Sequence, residues 1–130
     1  MENEPGRVEL LLPPDSRYMR LARLMASGVA STCGLPLDEV EDFRIAVDEL
    51  CAALIEVGDG DRVSLAFAFT DDALVVEGRT TAKPDGGIDE DRLNLSRQIL
   101  DVVTDGHELT VGNGYATFTA RKLLEGSDIV

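Results

Sequence analysis

From Arg7 to Leu12 the chain alternates, with Val8, Leu10 and Leu12 on one face, and Pro13-Pro14 stops the run. That pattern predicts a strand. Asp15 or Ser16 then stands where a helix cap is needed. Tyr18, Leu21, Met25 and Val29 follow at three-to-four spacing, predicting a helix whose apolar stripe they form. Gly34 ends it. A second helix is expected from about Pro36, with Asp38, Glu39, Glu41 and Asp42 near its positive end. Its stripe is Val40, Phe43, Val47, Leu50 or Cys51, and Leu54, until Gly58-Asp59-Gly60 stops it.

Beyond this point the period changes from helical to two. Val63, Leu65, Phe67 and Phe69 alternate, as do Leu74 and Val76, with Asp71-Asp72 as the turn of a hairpin. Residues 78–90 are polar, contain Pro84-Asp-Gly-Gly, and read as the one long loop. Leu93, Leu95, Ile99, Leu100 and Val103 predict a third helix from about Asp91. Two strands, His107 to Val111 and Tyr115 to Leu123, close the pattern around a Gly112-Asn113-Gly114 turn. The order β-α-α-β-β-α-β-β, with antiparallel pairs consecutive in sequence, implies an α/β two-layer sandwich. Its sheet is mostly antiparallel, with helices on one face. A single domain spanning residues 1–130 is expected.

Charge sharpens this picture. The chain has a net charge of −13, which argues against direct binding to nucleic-acid phosphates or anionic lipid. No apolar run approaches the roughly 20 residues that span a bilayer. Met1-Glu-Asn-Glu lacks the basic and apolar regions of a signal peptide, so a cytoplasmic location is expected. Residues 35–61 hold nine acids against Arg44 alone. Most of this excess falls on the second helix, where acids outside the apolar stripe are expected to face solvent and to help capture a basic protein. Cys33 and Cys51 form no CxxC pair and read as small buried apolar residues. His107 is the one histidine, so neither a His/Cys zinc site nor a hydrolytic triad is expected, and no metal site is assigned.

The segment Asp38-Glu-Val-Glu-Asp-Phe-Arg-Ile-Ala-Val-Asp-Glu-Leu-Cys-Ala-Ala-Leu-Ile-Glu resembles the long helix of the GHKL (Bergerat-fold) ATPases. Among these it is most similar to the RsbW-type anti-sigma factors, which are small serine kinases. Tyr18-Met-Arg-Leu-Ala-Arg-Leu-Met-Ala-Ser-Gly-Val-Ala resembles the family's first helix, and the order of elements agrees from about Val8 to Leu123. The resemblance implies a histidine-kinase-like ATPase fold. Ala46-Val-Asp-Glu-Leu-Cys matches the start of the family's N-box, which makes Glu49 the counterpart of the catalytic base, a role it has only if the kinase is active.

The departures concern the nucleotide. The N-box asparagine that holds Mg²⁺ falls at Ala53, which has no oxygen for a hard cation. The aspartate of the adenine box aligns near Gly78, with Glu77 as a shifted substitute, and both glycines of that box are absent. Of the glycine-rich lid only Gly86-Gly87 remains, and Asp89, Glu90 and Asp91 at the next helix start would repel a triphosphate. Glu49, Ala53, Glu77 and Gly78 therefore outline a degenerate ATP site, with no cofactor expected.

What the resemblance leaves is protein binding. It implies an anti-sigma factor that sequesters a sigma factor and is countered by an anti-anti-sigma (STAS-domain) protein, without kinase activity. An active Mg·ATP-dependent serine kinase, and a GHKL-fold module for another protein or ligand, are the alternatives. Arg17, Arg20 and Arg23 on the first helix are the candidate partner-binding residues, Arg20 matching a family arginine that contacts the sigma factor. They are set against the plainer reading that they are solvated or pair with acids of the second helix. A homodimer through the first strand and helix is also expected from the resemblance, Val8-Glu-Leu-Leu-Leu being apolar enough to pair across an interface.

Overall fold

The computed structural model describes residues 6–83 and 89–124. Five strands form one antiparallel sheet: β1 (Gly6–Leu12), β2 (Val63–Phe69), β3 (Ala73–Thr81), β4 (Gly106–Gly112) and β5 (Tyr115–Leu123), in the spatial order β1-β2-β3-β5-β4. Three helices, α1 (Met19–Thr32), α2 (Leu37–Val57) and α3 (Glu90–Val103), lie on one face, and a 3-10 turn at Ser16–Tyr18 leads into α1. This is the two-layer sandwich implied by the periodicity.

The core lies between α2 and the sheet. Val40, Phe43, Val47, Leu50, Cys51 and Leu54 are all buried, so both candidates for the fourth stripe position point inward. The Phe43 and Phe67 rings meet edge to face at 6.1 Å between centroids, which joins the helix to the middle of β2. Each such side chain contributes roughly 1.5–3 kcal/mol by leaving water. At the β4–β5 hairpin, Asn113 and Gly114 have φ of 56° and 81°, the pair of left-handed residues that a tight hairpin turn needs.

Four expectations change. The buried face of α1 is Met19, Ala22, Ala26, Val29 and Ala30, whereas Tyr18 and Leu21 are exposed and Met25 is only half-buried. Small alanines let the helix backbone approach its neighbours closely, and that contact wins over the larger apolar side chains. The stretch read as loop from residue 78 is strand as far as Thr81, because β5 supplies partners to Arg79, Thr80 and Thr81. Leu95 is exposed, and Ser96 takes the inward place on α3. Finally, the acids of α2 reach solvent as expected, with Asp38 and Glu41 exposed, but most of them have a cation partner. Arg44 pairs with Glu41 (2.6 Å), Arg23 with Asp48 (2.8 Å) and Arg92 with Glu56 (3.1 Å). The buried Lys122 of β5 lies 3.6 Å from Glu39 and 3.9 Å from Asp42. Three of the four cations come from distant parts of the chain, which hides them from a local count of charge.

Candidate functional site

Three of the four residues matched to a nucleotide site lie where α2 packs against β3 and α3. Glu49 is half-buried on α2 and accepts a hydrogen bond from the Ser96 hydroxyl of α3 at 3.0 Å. Ala53, one turn further on the same face, is buried and brings no polar atom. Gly78 faces the helix layer from β3. A Cβ on it would stand 2.5 Å from both Leu50 Cδ2 and Leu54 Cδ1, well inside contact distance. The two leucines therefore occupy the space that a side chain at position 78 would need. Glu77 is exposed on the other face of the sheet, because neighbours along a strand point to opposite sides. The structure thus brings Glu49, Ala53 and Gly78 together and places Glu77 apart from them.

The helix start that would meet phosphate is already satisfied. Asp89 caps α3, its Oδ1 accepting from the backbone N–H of Asp91 (3.1 Å) and of Arg92 (3.3 Å). A carboxylate thus stands where an anion would be drawn to the helix end. Gly86-Gly87, the candidate lid, lies outside the described residues. Among the described residues no three His, Cys, Asp or Glu side chains come together as metal ligands.

The three arginines of the first helix region have different fates. Arg17 is exposed and donates to Asp15 at 2.8 Å, and these hydrogen bonds hold the Asp15 carboxyl below its ordinary pKa. Arg23 bridges to Asp48 of α2. Arg20 is exposed and has no ion-pair partner among the described residues. The plainer expectation, solvation or pairing with acids of the second helix, fits all three: Arg17 and Arg20 are exposed, and Arg23 pairs with Asp48.

Two open features flank this region. An apolar groove of about 540 Å³ runs between α1 and β1, lined by Val8, Leu10, Leu21, Leu24, Met25 and Phe69 among others. Leu21 and Leu24 are 46% and 63% exposed there, unusually open for leucines beside an edge strand. A second groove of about 460 Å³ follows α2 between α1 and α3, with Met19, Ala52 and Ile55 as its apolar lining and the Arg23–Asp48 and Arg92–Glu56 pairs beside them. Ser96 and Arg92 went unnoticed in the sequence. Ser96 had a signal: it is a polar residue in phase with Leu93, Leu100 and Val103 on an otherwise apolar stripe. Arg92 had none, since its partner Glu56 lies 36 residues away.

No protein-family model matches the chain. In sequence it is similar to the serine-protein kinase RsbW of Bacillus cereus, with 27% identity over 96 residues. That match covers 72% of this chain and 57% of the relative. RsbW of Bacillus subtilis is 35% identical over 80 residues, covering 58% of this chain and 50% of the relative. The chain thus spans about half the length of the curated relatives it matches. Its fold is shared with the structure of the RsbU and RsbW domains of Rv1364c from Mycobacterium tuberculosis. There the TM-score is 0.73 and the identity 14%, over 91% of this chain and 32% of that one. It is also shared with the SiaB–SiaC complex from Pseudomonas aeruginosa, at a TM-score of 0.63 and 13% identity over 89% of each chain. The similarity to RsbW proteins and the GHKL-like fold expected from the N-box segment are both found.

Proposed function

We propose that this chain is an anti-sigma factor of the RsbW type that sequesters a sigma factor by surface contact alone. A STAS-domain anti-anti-sigma protein counters it by competing for that surface, and no phosphate is transferred. The observation that carries this reading is the packing of Leu50 and Leu54 against Gly78. Adenine recognition needs an acceptor at that point of the sheet and an open space beneath it, and apolar side chains take both. Ala53 cannot ligate Mg²⁺, and the Asp89 cap replaces phosphate at the start of α3. Binding a protein needs none of these parts.

Arg20 is the partner-binding residue that this reading favours, because its guanidinium is exposed and unpaired among the described residues, ready to meet a carboxylate through two parallel hydrogen bonds. Arg17 and Arg23 take part only by first releasing Asp15 and Asp48. Self-association belongs to the same reading: the apolar α1–β1 groove, with β1 as a sheet edge, is the surface through which two copies would pair. A cytoplasmic site of action follows from the proposed partner, and no helix of the described residues is long and apolar enough to cross a membrane.

The test has two arms. Calorimetric titration with Mg·ATP is expected to show no binding; micromolar, Mg²⁺-dependent affinity would overturn the non-catalytic reading in favour of an active serine kinase using Glu49. Co-purification with the sigma factors of the source cell is expected to retain one of them, and failure to retain any would remove the anti-sigma function, leaving a GHKL-fold module for another ligand. Arg20→Glu is expected to weaken that binding by about tenfold or more while leaving the melting temperature unchanged.

A further inference from the structure

The outer face of α3 carries large apolar side chains that no described residue covers. Asp91, Leu95, Gln98 and Val102 are spaced at four, three and four residues, which stacks them in one row along the helix, and all four are exposed. Leu95 is 57% exposed. Val102, at 82%, is the most exposed large apolar side chain among the described residues. Folding does not account for this pair: neither side chain is buried, and a valine at an open helix position is a poorer helix former than alanine, lysine or glutamate. Carboxylates bracket the pair, with Glu90 and Asp91 before Leu95 and Asp101 beside Val102. Among the described residues no cation pairs with Glu90 or Asp91: Arg92 is turned to Glu56, and Arg97 donates to Asn94. Asp101 meets the His107 ring instead of a fixed cation, in the last turn, where the helix macrodipole disfavours a carboxylate.

Charge separates this face from the apolar α1–β1 groove. Beside that groove acids and bases balance, Arg7 pairing with Glu9 and Arg17 with Asp15, so a second copy meets no net charge there. On α3 a second copy would set Glu90, Asp91 and Asp101 against their own equivalents, which repels it; the face selects a partner of opposite sign. Resting on the reading of this chain as an anti-sigma factor, we infer that the outer face of α3 is a further contact for the sequestered protein. Its occupant is a basic amphipathic helical segment. Apolar side chains two turns apart on that segment cover Leu95 and Val102, which stand about 10 Å apart along α3. Lysines or arginines beside them meet Asp91 and Asp101. A sigma factor has this chemistry to offer, because a protein that holds DNA phosphates carries basic surface. The net charge of −13 attracts the same partner at longer range.

The experiment measures, by calorimetry at low and at physiological salt, the affinity of the full chain for the purified sigma factors of the source cell. Leu95→Lys/Val102→Lys removes the apolar pair and sets two like charges against a basic segment. It is expected to weaken binding by about tenfold or more and, both positions being exposed, to leave the melting temperature unchanged. Val102→Ala keeps the test decisive should the double variant prove unstable, since alanine is the better helix former; it is expected to weaken binding about threefold. Asp91→Asn is expected to weaken binding at low salt and to flatten its dependence on salt. Unchanged affinity in the folded variants of Leu95 and Val102 overturns the inference. So does wild-type affinity that is independent of salt. A change of mass in the double variant without loss of sigma-factor affinity would assign the face to a second copy and also overturn it. If the wild-type chain binds no sigma factor, the proposed function falls and this inference with it; normal binding by the variants sinks this inference alone.

Discussion

Two sides of the helix layer have resolved opposite problems. Where α2 packs against β3 and α3, the residues that resemble catalytic machinery are closed in by apolar packing: Leu50 and Leu54 sit on Gly78, and Ser96 holds Glu49. Where α1 meets β1, large apolar side chains that read as core stand open to solvent, while alanines do the burying. The first region has the letters of a site and the interior of a core. The second has the composition of a core and the exposure of a surface. Hydrophobicity along the chain therefore says how much apolar surface exists, but packing decides which part of it is inside.

The sharpest way to break the comparison is to reopen the closed side. Gly78→Asp returns the carboxylate that an adenine box would need, into a space whose nearest atoms are leucine methyls at 2.5 Å. An unpaired charge buried there is expected to cost roughly 3–5 kcal/mol, with overpacking in addition. Urea unfolding monitored by circular dichroism measures it. Gly78→Ala isolates the steric part and is expected to cost about 1–3 kcal/mol. Wild-type stability in both would mean that the leucines part readily and that the region is closed only in appearance.

The contrast also marks what was legible in the sequence. The hairpins, the α2 stripe and the antiparallel order follow from local alternation and turn residues, and they stand in the structure. The phase of α1 did not, because Leu21 and Met25 outweigh Ala22, Ala26 and Ala30 on any scale of hydrophobicity, whereas close helix packing favours the smaller residues. Gly78 was visible as a missing aspartate but not as a seat for two leucines, since Leu50 and Leu54 meet it only in three dimensions. Lys122 sits on the inward phase of β5, an anomaly that alternation exposes. Its partners Glu39 and Asp42 lie some eighty residues away. Local pattern carried the fold; contacts distant in sequence decided the site.

A second prediction uses the two cysteines as reporters. Burial, aided by the Asp48 charge, pushes the Cys51 thiol up to about 12 from an ordinary 9.0, while Cys33, at the open end of α1, is half-buried and raised by burial alone. At pH 8 iodoacetamide is expected to label Cys33 first and to reach Cys51 only when the protein is unfolded. The sign of the linkage follows: a folded pKa above the unfolded one stabilises fully below about pH 9, and that contribution is lost as pH rises toward 12. The melting temperature of Cys51→Ala is therefore expected to fall less between pH 9 and 11 than that of the wild type. Equal labelling of both thiols in the native protein would erase the distinction between the regions.

The smallest effect on stability is expected on the open side, and there its smallness is the point. Leu24 is 63% exposed at the rim of the α1–β1 groove, so Leu24→Lys removes an apolar side chain that the folded monomer hardly buries. Its unfolding free energy is expected to stay within about 0.5 kcal/mol of wild type. A second copy seated on the groove would bury that position, and a lysine there would place one uncompensated charge on each side of the contact. Size-exclusion chromatography with light scattering is expected to show the variant as a monomer at concentrations where the wild type is a dimer. A large loss of stability would instead mean that Leu24 contributes to the core of the monomer, while an unchanged mass would move self-association away from α1. Only a shift in mass without a shift in stability fits an apolar face kept open for a second copy.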